Sequence, residues 1–171
     1  MEGQNAARIF ALLLGLGYVA VGVIGFAATG FSGFVANTDD ALIGLDLNVF
    51  HNIVHIAIGA GLLVASRLPN VAVTQGILIR VGLFYVVAAL LGFIDYLQII
   101  SIDGNLAADN FLHLLSGAAA VVFGLIGVRQ SEQARQAAEA QPQYAGRTEP
   151  RSLDERRAQW DREQTYREET Y

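Results

Sequence analysis

Two copies of one short polar pattern interrupt otherwise apolar stretches of this chain. Each copy contains Asn, His and Gly in the same spacing: Asn52, His55 and Gly59, then Asn110, His113 and Gly117. The spacing of i, i+3 and i+7 places the three residues on one face of an α-helix. Imidazole groups can ligate a metal or a haem, and both imidazole and carboxamide groups can hydrogen-bond across a helix bundle. These two faces are therefore the candidate functional residues.

The helices that must carry these faces are long enough to cross a membrane. Of the 171 residues 53% are hydrophobic. Four apolar runs, at about residues 9–29, 47–66, 77–97 and 107–128, have roughly the twenty residues that span a ~30 Å hydrocarbon core. We predict an all-α integral membrane protein with four transmembrane helices in residues 1–128, and we expect no sheet in its core.

The charged residues are segregated along the chain. All 11 basic residues are arginines, at Arg8, Arg67 and Arg80 and from Arg129 onward. The first and third connections lack arginine and contain only acidic charges: Asp39, Asp40, Asp46, Asp103 and Asp109. By the positive-inside rule, both termini are expected in the cytoplasm, with the protein in the inner (cytoplasmic) membrane.

The helices also repeat in sequence. The first and third runs share a pattern, Tyr18-Val19 before Ile24-Gly25-Phe26 and Tyr85-Val86 before Leu91-Gly92-Phe93. A unit of two helices returns the chain to its starting side, so both copies would share one orientation about an axis along the membrane normal. We predict a tandem duplication of a two-helix hairpin.

The first interpretation of the polar faces is structural. An unsatisfied polar group in hydrocarbon costs on the order of several kcal/mol, so the two faces should meet inside the bundle. They would then form a hydrogen-bonded layer that fixes the register of the helices. The layer consists of the residues of both copies: Asn52, His55, Gly59, Asn110, His113 and Gly117. This interpretation requires no cofactor.

A haem b held between the second and fourth helices is the alternative interpretation. His55 and His113 would be its two axial ligands, since opposed histidines on facing helices can ligate haem iron. The glycines one turn away, Gly59 and Gly117, would leave room for the macrocycle. The protein would then be a membrane redox protein.

A metal site is a further alternative. His51 and His55 stand at i and i+4 on one helix face, as zinc ligands can. Tetrahedral zinc needs more ligands, for which Asp109, His113 and Asp95 are candidates, and we take His51, His55 and Asp109 as the predicted set. A small transporter is a related alternative, because ionisable residues inside a membrane often mark a pathway.

Several classes of protein are excluded or unsupported by the sequence. The chain has no cysteine, which excludes disulfides, thiolate metal sites, iron–sulfur clusters and cysteine nucleophiles. It has no phosphate loop, nucleophile elbow or carboxylate pair with catalytic spacing, so we expect that it is not an enzyme. No basic patch indicates nucleic-acid binding.

Residues 129–171 have a different composition, rich in Gln, Glu, Arg and Ala and interrupted by Pro142, Gly146 and Pro150. We predict a charged cytoplasmic tail that is largely disordered. The alternative is a solvated helix, since Ser152 to Glu155 resembles a capping box. Eight arginines against nine acidic residues do not make a polybasic lipid anchor.

Taken together, these features resemble an uncharacterised family of bacterial four-helix membrane proteins, domain of unknown function 4383. The resemblance rests on Asn-Ile-Val-His at 52–55, Asn-Phe-Leu-His at 110–113 and the variable charged tail, and covers about residues 8–128. It implies a four-helix membrane protein and supplies no mechanism. We predict a structural or interaction subunit in the lipid bilayer, with a homo-oligomer or another membrane protein as its partner.

Overall fold

The computed structural model describes residues 5–37, 41–42, 44–104, 106–148 and 152–169. Contacts divide the chain into two units, Met1–Ser131 and Glu132–Tyr171. The helices are α1 (Ala6–Thr29), α2 (Val49–Arg67), α3 (Val71–Phe93), α4 (Ala108–Thr148) and α5 (Leu153–Glu169). The first unit contains α1 to α3 and the beginning of α4, and α5 belongs to the second unit.

Within the described residues, four segments are long and apolar enough to cross a membrane: Ala6–Thr29, Val49–Arg67, Val71–Phe93 and Ala108–Gln141. Large apolar side chains are exposed along them, among them Leu13 at 60%, Val64 at 64% and Leu115 at 67%. Such extended apolar surfaces are typical of contact with lipid and are rare in soluble monomers. The prediction of an all-α multi-pass membrane protein is confirmed.

Three helices begin at an asparagine whose side-chain oxygen accepts a hydrogen bond from a backbone amide of the first turn. The pairs are Asn5 with Ala7, Asn48 with His51 and Asn70 with Ala72. Such caps satisfy amides that have no partner within the helix. The cap of α2 is thus Asn48.

The third helix differs from its predicted range of 77–97, because it begins at Val71 and ends at Phe93. Two polar residues lie in its first turns. The hydroxyl of Thr74 donates to the Ala65 carbonyl at 2.6 Å, and Nε2 of Gln75 donates to the Gly127 carbonyl at 2.8 Å. Neighbouring helices therefore satisfy both side chains, and the buried helix extends through residues that hydropathy alone assigned to a loop.

The connection between α1 and α2 contains a short antiparallel hairpin. Its strands are β1 (Ala41–Leu42) and β2 (Leu45–Asp46), with Ala41 opposite Asp46. Two residues per strand contribute no core layer, so the core is helical as predicted. Asp39 and Asp40, which supported the predicted orientation, lie outside the described residues.

Pairs of helices approach so closely that their backbones touch at glycines. A Cβ atom on Gly15 would lie 2.9 Å from the carbonyl oxygen of Gly59, and one on Gly59 would lie 2.8 Å from that of Gly15. Gly82 of α3 and Gly117 of α4 show the same reciprocal approach at 2.7 Å. Only glycine allows this packing, which is common between membrane helices.

The second unit contains the end of α4 and helix α5, which starts directly after Ser152. The described side chains of α5 are mostly exposed and polar. A solvated helix is the alternative given for this part of the chain, and the predicted disorder stays a prediction. Ala, Glu, Gln and Arg are strong helix formers, which accounts for helix without a packed apolar face. Pro150 lies outside the described residues.

We expect Gly59→Ala to destabilise the membrane domain by about 1–3 kcal/mol, as overpacking does in other cores. The added methyl group would meet the Gly15 carbonyl oxygen and the Val19 amide nitrogen, both at 2.8 Å. Gly61→Ala is the matched control, because nothing lies within 4 Å of the position that its methyl group would occupy. Thermal unfolding in detergent measures both variants. Equal melting temperatures for Gly59→Ala and wild type would contradict the backbone contact.

Candidate metal centre

Three histidine side chains meet inside the first unit and form what we call the histidine cluster: His51 and His55 of α2 and His113 of α4. Their exposed fractions are 0%, 5% and 4%. One ring nitrogen from each lies within 4.8 Å of the others. Ring centroids are 4.5 Å apart for His51 and His55, 5.8 Å for His51 and His113, and 6.2 Å for His55 and His113.

The orientation of His51 is fixed by the backbone. Its Nδ1 lies 3.1 Å from the carbonyl oxygen of Asp46. Because a carbonyl oxygen can only accept, Nδ1 carries the proton and Nε2 keeps a lone pair. The residue lies in the first turn of α2, and one turn later His55 projects from the same helix face.

Most nitrogens of the histidine cluster have no hydrogen-bond partner. Nε2 of His51, both ring nitrogens of His55 and Nδ1 of His113 are buried and unpartnered among the described residues. A buried polar atom left without a partner costs about 1–3 kcal/mol. Native proteins satisfy almost all such atoms, so their concentration here makes the histidine cluster the candidate site of the described residues.

Two tyrosines pack against the histidine cluster from the other helices. The ring of Tyr18 in α1 lies 5.3 Å from His55, that of Tyr85 in α3 lies 5.0 Å from His113, and the two phenol rings are 4.8 Å apart. The Tyr18 hydroxyl donates to Oγ of Ser116 at 2.8 Å. From the sequence, Tyr18 and Tyr85 were recognised only as equivalent positions of the repeat. That equivalence is the sequence feature that could have indicated similar surroundings for both side chains.

The two asparagines of the predicted polar layer contact glycines of the preceding helix. Asn52 packs on Gly25 and Asn110 on Gly92, where a Cβ atom would overlap the asparagine Oδ1. Nδ2 of Asn52 donates to the Thr29 hydroxyl at 2.9 Å, and Nδ2 of Asn110 donates to the Gly104 carbonyl at 3.2 Å. The predicted layer is therefore divided, with these amides bonded to neighbouring segments and the imidazoles gathered apart from them.

The glycines of the two polar faces do not border an open slot. Gly59 faces the backbone of Gly15, and Gly117 faces that of Gly82. The haem interpretation of the sequence placed these glycines beside the macrocycle. In the structure their missing side chains let helices touch.

Asp109 does not join the histidine cluster, although the predicted metal set grouped it with His51 and His55. Its Oδ2 accepts from the backbone amide of Asp46 at 2.9 Å. The carboxylate thus holds the segment whose carbonyl orients His51. Asp95 is also engaged elsewhere, since its Oδ1 accepts from the Gly104 amide at 2.9 Å. Within the described residues, the group of potential ligands that the structure brings together is His51, His55 and His113.

A cavity of about 170 Å³ borders the histidine cluster. All three histidines and Tyr85 contribute to its wall. The remaining lining side chains are apolar: Phe50, Val54, Phe84, Ala88, Leu97 and Ile100. The cluster therefore has open space on one side, walled mainly by α2, α3 and the connection that follows α3.

Comparison with known proteins adds a family. No curated protein and no solved structure matches the chain significantly. The family described as domain of unknown function (DUF4383) matches residues 8–126, which include α1, α2 and α3 almost completely and the part of α4 that carries His113. Since this match covers well over half of the sequence, the chain belongs to the DUF4383 family.

Proposed function

We propose that this protein binds one transition-metal ion inside its membrane domain, with His51, His55 and His113 as ligands. The observation that carries the proposal is the meeting of three buried imidazoles whose ligand atoms lie within 4.8 Å of one another. A bound ion would give a partner to one nitrogen of each ring at once. That removes most of the cost of leaving these nitrogens unpartnered.

Metal binding would require the ligand nitrogens, which lie within 4.8 Å of one another, to move closer together. In a tetrahedral site with metal–nitrogen bonds of about 2.0–2.1 Å, the ligand nitrogens are about 3.3 Å apart. His55 can turn toward an ion, because neither of its ring nitrogens is held by a hydrogen bond. His51 already presents Nε2, since its Nδ1 donates to the Asp46 carbonyl. Such an outer hydrogen bond commonly orients a metal-bound histidine.

The ligand type restricts the metal. Imidazole nitrogen suits Zn²⁺, copper, iron and nickel, whereas Mg²⁺ and Ca²⁺ prefer oxygen ligands. The proposed set contains no carboxylate, so the ligands leave the charge of the ion unchanged. Burying a charge in hydrocarbon is costly, which favours an ion of low charge such as Cu(I) among these metals.

The haem alternative receives less support from the same geometry. Pockets for drug-sized ligands measure about 300–1,000 Å³, and the cavity here is about 170 Å³. The ring of His51 also lies 4.5 Å from His55 and 5.8 Å from His113, beside the space that a macrocycle between them would need. An ion fits the cluster without displacing this ring.

We also propose the predicted structural role, now for the asparagines. Asn52 of α2 hydrogen-bonds to Thr29 at the end of α1. Asn110 of α4 hydrogen-bonds to Gly104 in the preceding connection. Interhelical hydrogen bonds of this kind contribute about 0.6 kcal/mol on average, so their main effect is to specify register. This role is compatible with metal binding by the histidines.

The contacts support the tandem duplication. Residues of α1 recur 67 positions later in α3, and residues of α2 recur 58 positions later in α4: Gly15, Tyr18 and Gly25 as Gly82, Tyr85 and Gly92, and Asn52, His55 and Gly59 as Asn110, His113 and Gly117. Both hairpins use these residues in the same way, with paired glycines in backbone contact and an asparagine on a glycine. By the same spacing His51 corresponds to Asp109, so the copies differ at the third ligand.

We further propose that both termini lie in the cytoplasm and that the membrane is the inner (cytoplasmic) one. Arg8 donates to the carbonyls of Leu68 and Pro69 at 2.6 and 2.7 Å, which gathers α1 and the connection that follows Arg67 at one end of the first unit. Where α2 and α4 begin, away from Arg67, the backbone amide of Asp46 donates to the carboxylate of Asp109. This separation of charge agrees with the positive-inside rule.

We expect the purified full-length chain to bind about one metal ion, and His113→Ala to weaken binding by more than about 100-fold, because even outer-shell changes cost about 10–100-fold. The measurement is metal content by mass spectrometry, followed by titration with Zn²⁺ and Cu(I). An affinity tag without histidine is required. Asp109→Asn is the control, and its loss should be much smaller. Equal losses in the two variants would restore Asp109 to the ligand set, and an unchanged His113→Ala would contradict the proposal.

We expect reporters fused after Tyr171 to report a cytoplasmic C-terminus. Green fluorescent protein should fluoresce there, and alkaline phosphatase should be inactive, because the phosphatase needs the periplasm to form its disulfides. A phosphatase fusion placed after Asn37, in the first outer connection, is the control and should be active. The opposite pattern would reverse the proposed orientation.

A further inference from the structure

We propose that the metal ion keeps one open coordination position. In this proposal the position binds a small uncharged molecule of the dioxygen, nitric oxide or carbon monoxide type, which occupies the adjoining cavity. This inference rests on the proposed three-histidine site. It adds the class of ligand that the site would take. Three features carry it: the number of ligands, the size of the cavity and the chemistry of its wall.

The number of ligands leaves a position free. A metal site with three protein ligands typically holds an exogenous ligand in the fourth position, whereas structural sites are closed by four. Among the described residues, the group around the site contains three potential ligands. Asp109 and Asp95, the nearest candidates from the sequence, accept hydrogen bonds from backbone amides. All three histidines line the cavity, so the free position faces it.

The size of the cavity restricts the ligand to a few atoms. Its volume of about 170 Å³ compares with about 30 Å³ per water molecule in the liquid. Pockets for drug-sized ligands have volumes of about 300 Å³ or more, well above this value. A diatomic or similarly small molecule fits, and a nucleotide or another drug-sized ligand does not.

The wall of the cavity favours an uncharged ligand. Apart from the imidazoles and Tyr85, its side chains are apolar, and none carries a charge. An anion would lose its hydration there with only the metal to compensate. Phe84 is 55% exposed on the apolar surface of α3, so one wall of the cavity adjoins the region expected to face lipid. Uncharged small molecules can reach this wall from the bilayer itself.

Carbon monoxide is the probe, because it binds Cu(I) through carbon without any change of redox state. The full-length protein in detergent is loaded with Cu(I) under anaerobic conditions and titrated with the gas, and the carbonyl stretch is followed by infrared spectroscopy. We expect one carbon monoxide per copper. Ala88→Leu, which fills the cavity, should weaken binding by about tenfold or more while copper content stays unchanged. Ala60→Leu, on an exposed part of α2, is the matched control and should bind like wild type.

A second variant tests the cavity from the opposite direction. Phe84→Ala should enlarge the space and strengthen the binding of tert-butyl isocyanide, a bulkier uncharged ligand, relative to the wild-type protein. Since Phe84 is 55% exposed, its truncation leaves the buried packing largely in place. Equal binding of the isocyanide by both proteins would contradict the proposed role of this wall.

The possible results distinguish failure of this inference from failure of the proposed metal-binding function. A protein that binds no metal refutes the three-histidine site itself. A protein that binds copper but neither carbon monoxide nor azide has a closed site, which overturns the open position alone. Equal binding by wild type and Ala88→Leu would show that the ligand does not occupy the cavity. Tight binding of azide to the Cu(II) form without binding of carbon monoxide to the Cu(I) form would show that the ligand class is wrong.

Discussion

A polar group buried in a bilayer must find its partner within the protein, because lipid offers none. Several of the described polar side chains inside this helix bundle follow that rule. Thr74 and Gln75 donate to carbonyls of neighbouring helices, and Tyr18 donates to the Ser116 hydroxyl. The three histidines are as deeply buried, and most of their ring nitrogens have no such partner. This concentration of unpartnered nitrogens is the basis of the proposed metal site.

The sequence predicted the number and class of the helices well because lipid imposes a simple length rule. Its error at α3 has a physical cause. Hydropathy scores Thr74 and Gln75 as solvent-seeking, but helix α2 and helix α4 supply their hydrogen-bond partners, and the helix begins at Val71. The range of α4 shows the converse, since its apolar run ends near residue 128 while the helix continues to Thr148. Hydropathy reports the limits of the span, and helix propensity decides where the helix ends.

The site was only partly predictable, because spacing within one helix identifies a face but not the neighbour that the face meets. His51 and His55 follow from their i, i+4 spacing. Whether Asp109 or His113 joins these two histidines depended on which α4 side chain turns inward. Asp109 turns toward the amide of Asp46, a contact between two connections that no periodicity encodes. The roles of Tyr18 and Tyr85 required knowledge of the packing of all four helices.

The backbone contacts at glycine pairs also bear on how the protein is assembled during synthesis. Gly15 with Gly59 and Gly82 with Gly117 each join two helices that are consecutive in the chain. Each hairpin can therefore pack soon after its second helix enters the membrane, since chains generally fold from the N-terminus as they are made. The first hairpin brings His51 and His55, and His113 arrives only with the last membrane helix. The three imidazoles therefore come together only after the last membrane helix has been inserted.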